Sequence, residues 1–157
     1  MAYTPITVAQ ALALESGPDT AVESLETTVV EAADFSPEIK SEPAESSRIF
    51  ELRVYHSPTF RQLIALHERF RGPEIKIFHR SGIHPILYGS TLIGPNQPNL
   101  TYLIPFADLA AREKAWAAFG ADPDWQKVRK ESVEKSGEIV SNIQISFYKS
   151  TPYSPVR

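Results

Sequence analysis

The sequence contains no cysteine, only one methionine, and no apolar run near the ~20 residues of a membrane-spanning helix. Without cysteine there is neither a disulfide framework nor a thiolate metal site, and redox compartment leaves no mark on the chain. The N-terminus lacks the basic start and continuous apolar stretch of a secretory signal. The expectation is therefore a soluble, cytoplasmic protein with no membrane span. Internal repeats are absent. So is a basic stripe: lysine and arginine are dispersed among acidic residues, which argues against nucleic acid as a partner.

What is present is enough chain, 157 residues with 13 prolines, for one domain with a real core. The net charge of −3 conceals an asymmetry. Residues 1–47 carry nine acidic residues and one lysine, a charge of −8, and residues 48–157 carry +5. Ser24 to Arg48, SLETTVVEAADFSPEIKSEPAESSR, is rich in Glu, Ser, Ala and Pro. Such a segment buries too little apolar surface to offset its ordering entropy. Ile6 to Leu14, ITVAQALAL, is more apolar and could dock as a short strand or helix. Residues 1–47 read as an acidic arm or linker, either disordered or lying on a neighbouring subunit. Residues 48–157 read as the domain.

From Ile49 the pattern changes. IFELRVYH alternates, with Phe50, Leu52 and Val54 on one side and Glu51, Arg53 and Tyr55 on the other, the period of a two-faced strand. Thr59 is placed to cap a helix whose apolar set is Phe60, Leu63, Ile64, His67 and Phe70. Gly72-Pro73 interrupts that helix, because proline in a helix interior costs about 3 kcal/mol or more. The pattern resumes at Ile75 and Phe78, and Gly82 stops it. PILYGST and LTYLIPF read as the next two strands, joined by the turn formers of IGPNQPN. Asp108 caps a helix in which Leu109, Arg112, Ala115, Trp116 and Phe119 share a face, with Arg112 snorkelling at its border.

The stretch FGADPDWQKV is punctuation. Gly120 closes one helix, Asp122 caps the next, Pro123 suits its first turn and Asp124 faces the positive end of its dipole. The two carboxylates thus have a structural role. Trp125, Val128, Ser132 and Val133 form the new stripe, Gly137 ends it, and NIQISFYK is the last strand. The order β-α-β-β-α-β predicts an α+β, ferredoxin-like unit: a four-stranded antiparallel sheet with the helices on one face.

The runs FELRVYHSPTFRQLIALHERFR, KIFHRSGIHPILYGS and NLTYLIPFADLAAREKAWAAFGADPDWQKV, with the closing TPYSP, resemble the NIPSNAP family. The resemblance covers residues 48–157 and is carried by the ELR-Y strand, the REKAWAAF helix and the DPDW turn together. It implies membership of the dimeric α/β barrels, in which two ferredoxin-like units close a barrel. With one unit in this chain, the partner is a second copy in a homodimer. The family has no agreed catalytic constellation, so no catalytic residue is carried over. Many relatives carry two such domains, and a continuous first helix is the family expectation from which Gly72-Pro73 departs.

The faces of the sheet suggest where a ligand would go. Phe50, Leu52 and Val54, with Ile143, Ile145 and Phe147, are expected to pack under the helices. Glu51, Arg53, Tyr55, Gln144 and Tyr148, joined by Tyr88 and Tyr102, would then face the twin sheet across a polar lumen. Arg53 would supply a cation for a carboxylate or phosphate, the alternative being a structural ion pair with Glu51. His79 and His84 flank Gly82 near the mouth of such a barrel, and their spacing is no metal-ligand pattern. His67 and Trp116 read as core residues. No metal or cofactor is implied. The leading expectation is a ligand- or partner-binding protein without assigned activity. The alternatives are a cofactor-less monooxygenase or other small-molecule enzyme of the barrel type, argued by fold analogy, and a scaffold whose acidic arm recruits partners.

Overall fold

The computed structural model describes residues 27–40 and 48–151, together with Ser154 and Val156. The stretch Ile6 to Leu14 lies outside the described residues. In chain order the elements are β1 (Val29–Ala32), β2 (Ile49–His56), α1 (Phe60–Arg69), a π-helical turn (Phe70–Glu74), α2 (Ile75–Arg80), β3 (Leu87–Ile93), β4 (Asn99–Phe106), α3 (Leu109–Ala121), α4 (Pro123–Ser136) and β5 (Asn142–Lys149). The strands form one sheet in the order β1-β3-β4-β2-β5, every neighbouring pair antiparallel.

The sheet has five strands, not the four expected. The fifth, β1, comes from the segment read as arm or linker, and it hydrogen-bonds along the outer edge of β3. Gly89 on β3 makes this approach possible, since a Cβ there would sit 2.5 Å from the Glu31 carbonyl oxygen. The turn after β1 holds Phe35 against His67, Phe70 and Tyr88, and Ala33 donates its N–H to the Tyr88 carbonyl at 2.9 Å.

The local signals act as their chemistry requires. Thr59, Asp108 and Asp122 accept backbone N–H bonds at the starts of α1, α3 and α4. Gly82 and Gly137, with φ of +85° and +73°, follow α2 and α4. α3 runs on through Gly120, so the break falls at Asp122, which closes α3 and caps α4 at once. At Gly72-Pro73 the path leaves helical geometry (ψ −116° at Gly72), Pro73 offers no N–H, and the Ile75 N–H reaches back five residues to the Phe70 carbonyl. The buried stripe of α1 is Leu63 and Leu66, continued by Phe70, while Phe60 and Ile64 point outward.

The largest correction concerns the faces of the sheet. The helices cover the face that carries Glu51, Arg53, Tyr55, Tyr88 and Tyr102, all of them buried. Tyr55 and Tyr102 pack on Phe70, and Tyr102 also on Phe78. The opposite face carries Phe50, buried, and Leu52 and Val54, half-buried, with Leu103 and Leu87 in register beside Leu52; among the described residues no helix packs on it. Ile143, Ile145 and Phe147 lie on the helical side but are exposed, because β5 is the edge strand and every one of its residues is exposed. Alternation shows that a strand has two unlike faces. It does not say which is covered, and here donors from the helices make the charged face the one worth covering.

Candidate functional site

Two polar networks lie buried between helices and sheet. The first runs along β2. Glu51 receives Arg53 Nε at 2.5 Å, Arg112 Nε at 2.7 Å and Nη2 at 3.2 Å, and Trp116 Nε1 at 3.1 Å. Arg112 and Trp116 are one helical turn apart on α3, which aims both at the same carboxylate. Arg53 lies over the Trp116 ring, 3.6 Å from its centroid, and donates from Nη1 to the Tyr55 hydroxyl at 3.1 Å. Burial pushes the Glu51 carboxyl up; the bonds and charges of Arg112, Arg53 and Trp116 outweigh it and hold the group below its ordinary value. Glu51 and Arg53 are thus an ion pair within one strand, the alternative weighed above. Arg112 is a partner of Glu51 rather than a border residue, and Trp116, packed on the core against Phe78 and Phe119 as expected, also donates to it.

The second network sits at the widened turn. Glu74 is 1% exposed and accepts from Arg69 Nε at 2.7 Å. Burial pushes its carboxyl up to about 7 although Arg69 opposes the shift. Arg69 continues outward: its guanidinium lies 5.0 Å from the Trp125 ring centroid, and Nη1 bonds Ser132 Oγ at 3.4 Å. The hydroxyls of Tyr88 and Tyr102 are buried without a hydrogen-bond partner among the described residues. Burial, then the charge of Glu74, raises the Tyr88 phenol; burial also dominates at Tyr102.

Both networks end at one cavity of about 520 Å³, a volume within the range of small-molecule sites. No side chain of α4 is fully buried and every residue of β5 is exposed, and a gap is left between the helix and the strand. Trp125, Arg129 and Val133 of α4 form one wall, Ile143 of β5 and Ile139 another, and Tyr55 and Arg69 close the inner end. Glu138 lies at the same opening. The Arg129 side chain has no ion pair or hydrogen bond among the described residues.

The residues expected in one lumen are therefore divided. Glu51, Arg53, Tyr55, Tyr88 and Tyr102 share the helical side, and of these only Tyr55 lines the cavity. Gln144 and Tyr148 line a different hollow, of about 670 Å³, on the open face with Leu52, Val54 and Leu87. His79 and His84 stack on one another at 5.1 Å, exposed, and line neither. Burial and the neighbouring His84 lower the His79 imidazole. His67 is half-buried against Phe35 and Ser90. Asp122 and Asp124 both hold Arg80, at 2.6 and 2.7 Å, in the structural role expected. No cluster of three or more His, Asp or Glu that could hold a metal occurs among the described residues, and no helix among them is long and apolar enough to cross a membrane. Sequence reasoning missed Arg69, Glu74 and Arg129. The one available signal was a glutamate directly after Gly72-Pro73, at the point where the apolar pattern resumes.

Comparison with known protein families matches the NIPSNAP model over residues 50–155. Among curated proteins nothing matches the chain. Among solved structures, a NIPSNAP family protein of unknown function from Agrobacterium tumefaciens is similar at 18% identity, with 73% of this chain and 97% of that one covered and a TM-score of 0.62. A second NIPSNAP family protein from the same organism shares 21% identity, covering 76% and 100%, with a TM-score of 0.63. An uncharacterised NIPSNAP-like domain protein from Burkholderia xenovorans shares 24%, covering 69% and 89%, at 0.59. At these identities the likeness is one of fold.

Proposed function

The chain belongs to the NIPSNAP family, and from that premise we propose that it is a binding protein: a ferredoxin-like unit that pairs with a second copy across its open sheet face and holds a small ligand between α4 and β5. The observation that carries the ligand reading is the cavity itself. Its walls are apolar at Trp125, Val133 and Ile143, and it offers an unpaired guanidinium at Arg129 and two buried polar groups, Tyr55 and Arg69, at its inner end. A few placed polar groups in an apolar hollow are what orient a small molecule. Pairing of two copies is supported by Leu52, Val54, Leu87 and Leu103, a contiguous aliphatic centre on a face that no helix among the described residues covers. Gln144 and Tyr148 would then look into the lumen so formed. The enzymatic reading, argued by fold analogy, needs a tyrosine-lined lumen with His79 and His84 at hand; Tyr88 and Tyr102 are buried under the helices and both histidines lie outside the cavity, so no observation favours it.

The ligand reading is tested by native mass spectrometry and thermal-shift screening of the full chain beside Val133→Trp, which places an indole in the cavity from an exposed helix position. A small molecule retained or stabilising in the wild type and lost in the variant is the expected result. Equal binding by the two, or no stabilising compound across a broad library, refutes it.

A further inference from the structure

Arg69 belongs at once to the cavity wall and to a buried ion pair. Its Nε is held by Glu74, its Nη1 by Ser132, and among the described residues nothing bonds its Nη2. Its side chain is 8% exposed. Arg129, from the same helix as Ser132, brings a second guanidinium to the cavity, and Glu138 is the one carboxylate among the lining residues. While Glu74 is ionised, the charge of Arg69 is balanced from behind. Once Glu74 carries a proton, the same guanidinium is a cation without a counter-charge on the wall of a mostly apolar hollow, where an unbalanced charge is costly. An anion entering the cavity supplies the missing counter-charge.

Resting on the ligand reading above, we propose that the cavity takes an amphipathic carboxylate, its charge bound by Arg129 and Arg69 and its chain by Trp125, Val133 and Ile143, and that binding is coupled to uptake of one proton by Glu74. The proton comes from solvent and stays on the carboxyl; no covalent bond to the ligand forms or breaks. The surroundings of Glu74 fit this exchange. Arg69 of α1 faces it from its own helical path. Tyr55 of β2, Tyr88 of β3 and Tyr102 of β4 each feel its charge, and none of them carries a positive charge that would keep the carboxyl ionised once Arg69 is shared. The Tyr88 hydroxyl, buried and unpartnered among the described residues, is a neutral neighbour suited to a neutral acid. Because Glu74 exchanges its proton near neutrality, at about 7, the competent fraction changes within an accessible range. If only the protonated form binds the anion, apparent affinity scales with that fraction and improves about tenfold between about pH 8 and about pH 6.

The test uses octanoate and its uncharged isostere octanamide as probes, with calorimetric titration of the full chain at both pH values. Octanoate is expected to tighten about tenfold on the acid side while octanamide stays flat. Proton uptake is read in the wild type from the dependence of the heat on buffer ionisation enthalpy, and needs no variant. Glu74→Gln is expected to bind octanoate equally at both pH values, and Arg129→Ala to lose most of the preference for octanoate over octanamide. If octanamide binds as well as octanoate at the lower pH, the anion assignment is overturned while the cavity reading stands. If octanoate is preferred but takes up no proton, or Glu74→Gln keeps the pH slope, the coupling is overturned. If neither probe binds, this proposal falls, while the cavity reading stands or falls by the library screen and Val133→Trp.

Discussion

Glu51 shows what burial asks of a single side chain. It is 0% exposed, and it is tolerated because two guanidiniums and an indole N–H satisfy it. Removing one member of a buried charge set typically costs about 3–5 kcal/mol, because the remaining charges are left unbalanced. Glu51→Gln is therefore expected to lower the unfolding free energy read from urea denaturation by an amount in that range, and to cost more than Arg112→Gln, whose loss leaves Arg53 in place. Glu74 makes a prediction of opposite sense. A carboxyl that titrates at about 7 when folded and near its ordinary value when unfolded binds its proton more tightly in the folded state. Its contribution to stability is fully present below the unfolded value and is lost as pH rises through about 7. The loss is about 3 kcal/mol over that window. Glu74→Gln is expected to flatten this part of the stability–pH curve and to gain on wild type on the alkaline side, as measured by denaturation at a series of pH values.

At the scale of elements, β1 rests on the missing side chain of Gly89. Gly89→Ala would place a methyl group against the Glu31 backbone, so amide exchange at Val29–Ala32 is expected to rise towards that of a free segment while β2 and β4 keep their protection. Unchanged protection at Val29–Ala32 would show that the strand yields without detaching. This element also marks where sequence reading stopped. The caps at Thr59, Asp108 and Asp122, the interruption at Gly72-Pro73 and the ends of β2 and β5 were legible, because each depends on chemistry within a few residues. β1 was not, since two valines among Glu, Ser and Pro earn no strand until a partner edge is known. The covered face of β2 was not either. Which of two unlike faces receives the helices depends on Arg112, Trp116 and Phe70, all distant in sequence from β2. The candidate cavity was illegible for the same reason, as it is a gap left between α4 and β5 rather than a motif in either.

At the scale of the molecule, the open face of the sheet is the feature that asks for a partner. An antiparallel sheet can leave one face in water, yet this one presents Leu52, Val54, Leu87 and Leu103 at its centre. Sedimentation of the full chain is expected to give a dimer, and Leu52→Asp a folded monomer with an unchanged far-ultraviolet spectrum. A wild-type monomer at micromolar concentration would refute the pairing. The candidate cavity opens on the other side of the sheet, so any ligand held there is expected to bind the monomeric variant as it binds the dimer.

The widened turn at Phe70–Glu74 has a consequence of its own. A bond spanning five residues rather than four spends surplus chain within the helix path. α2 is anchored beyond it by Ile77 and Phe78, and α1 before it by Leu63 and Leu66. Excising one residue between these anchors would therefore swing the acid by roughly a quarter-revolution, about 100°, and deliver it to water. What keeps a proton-exchanging group indoors is thus tape length: a deletion there would silence it without touching the acid itself.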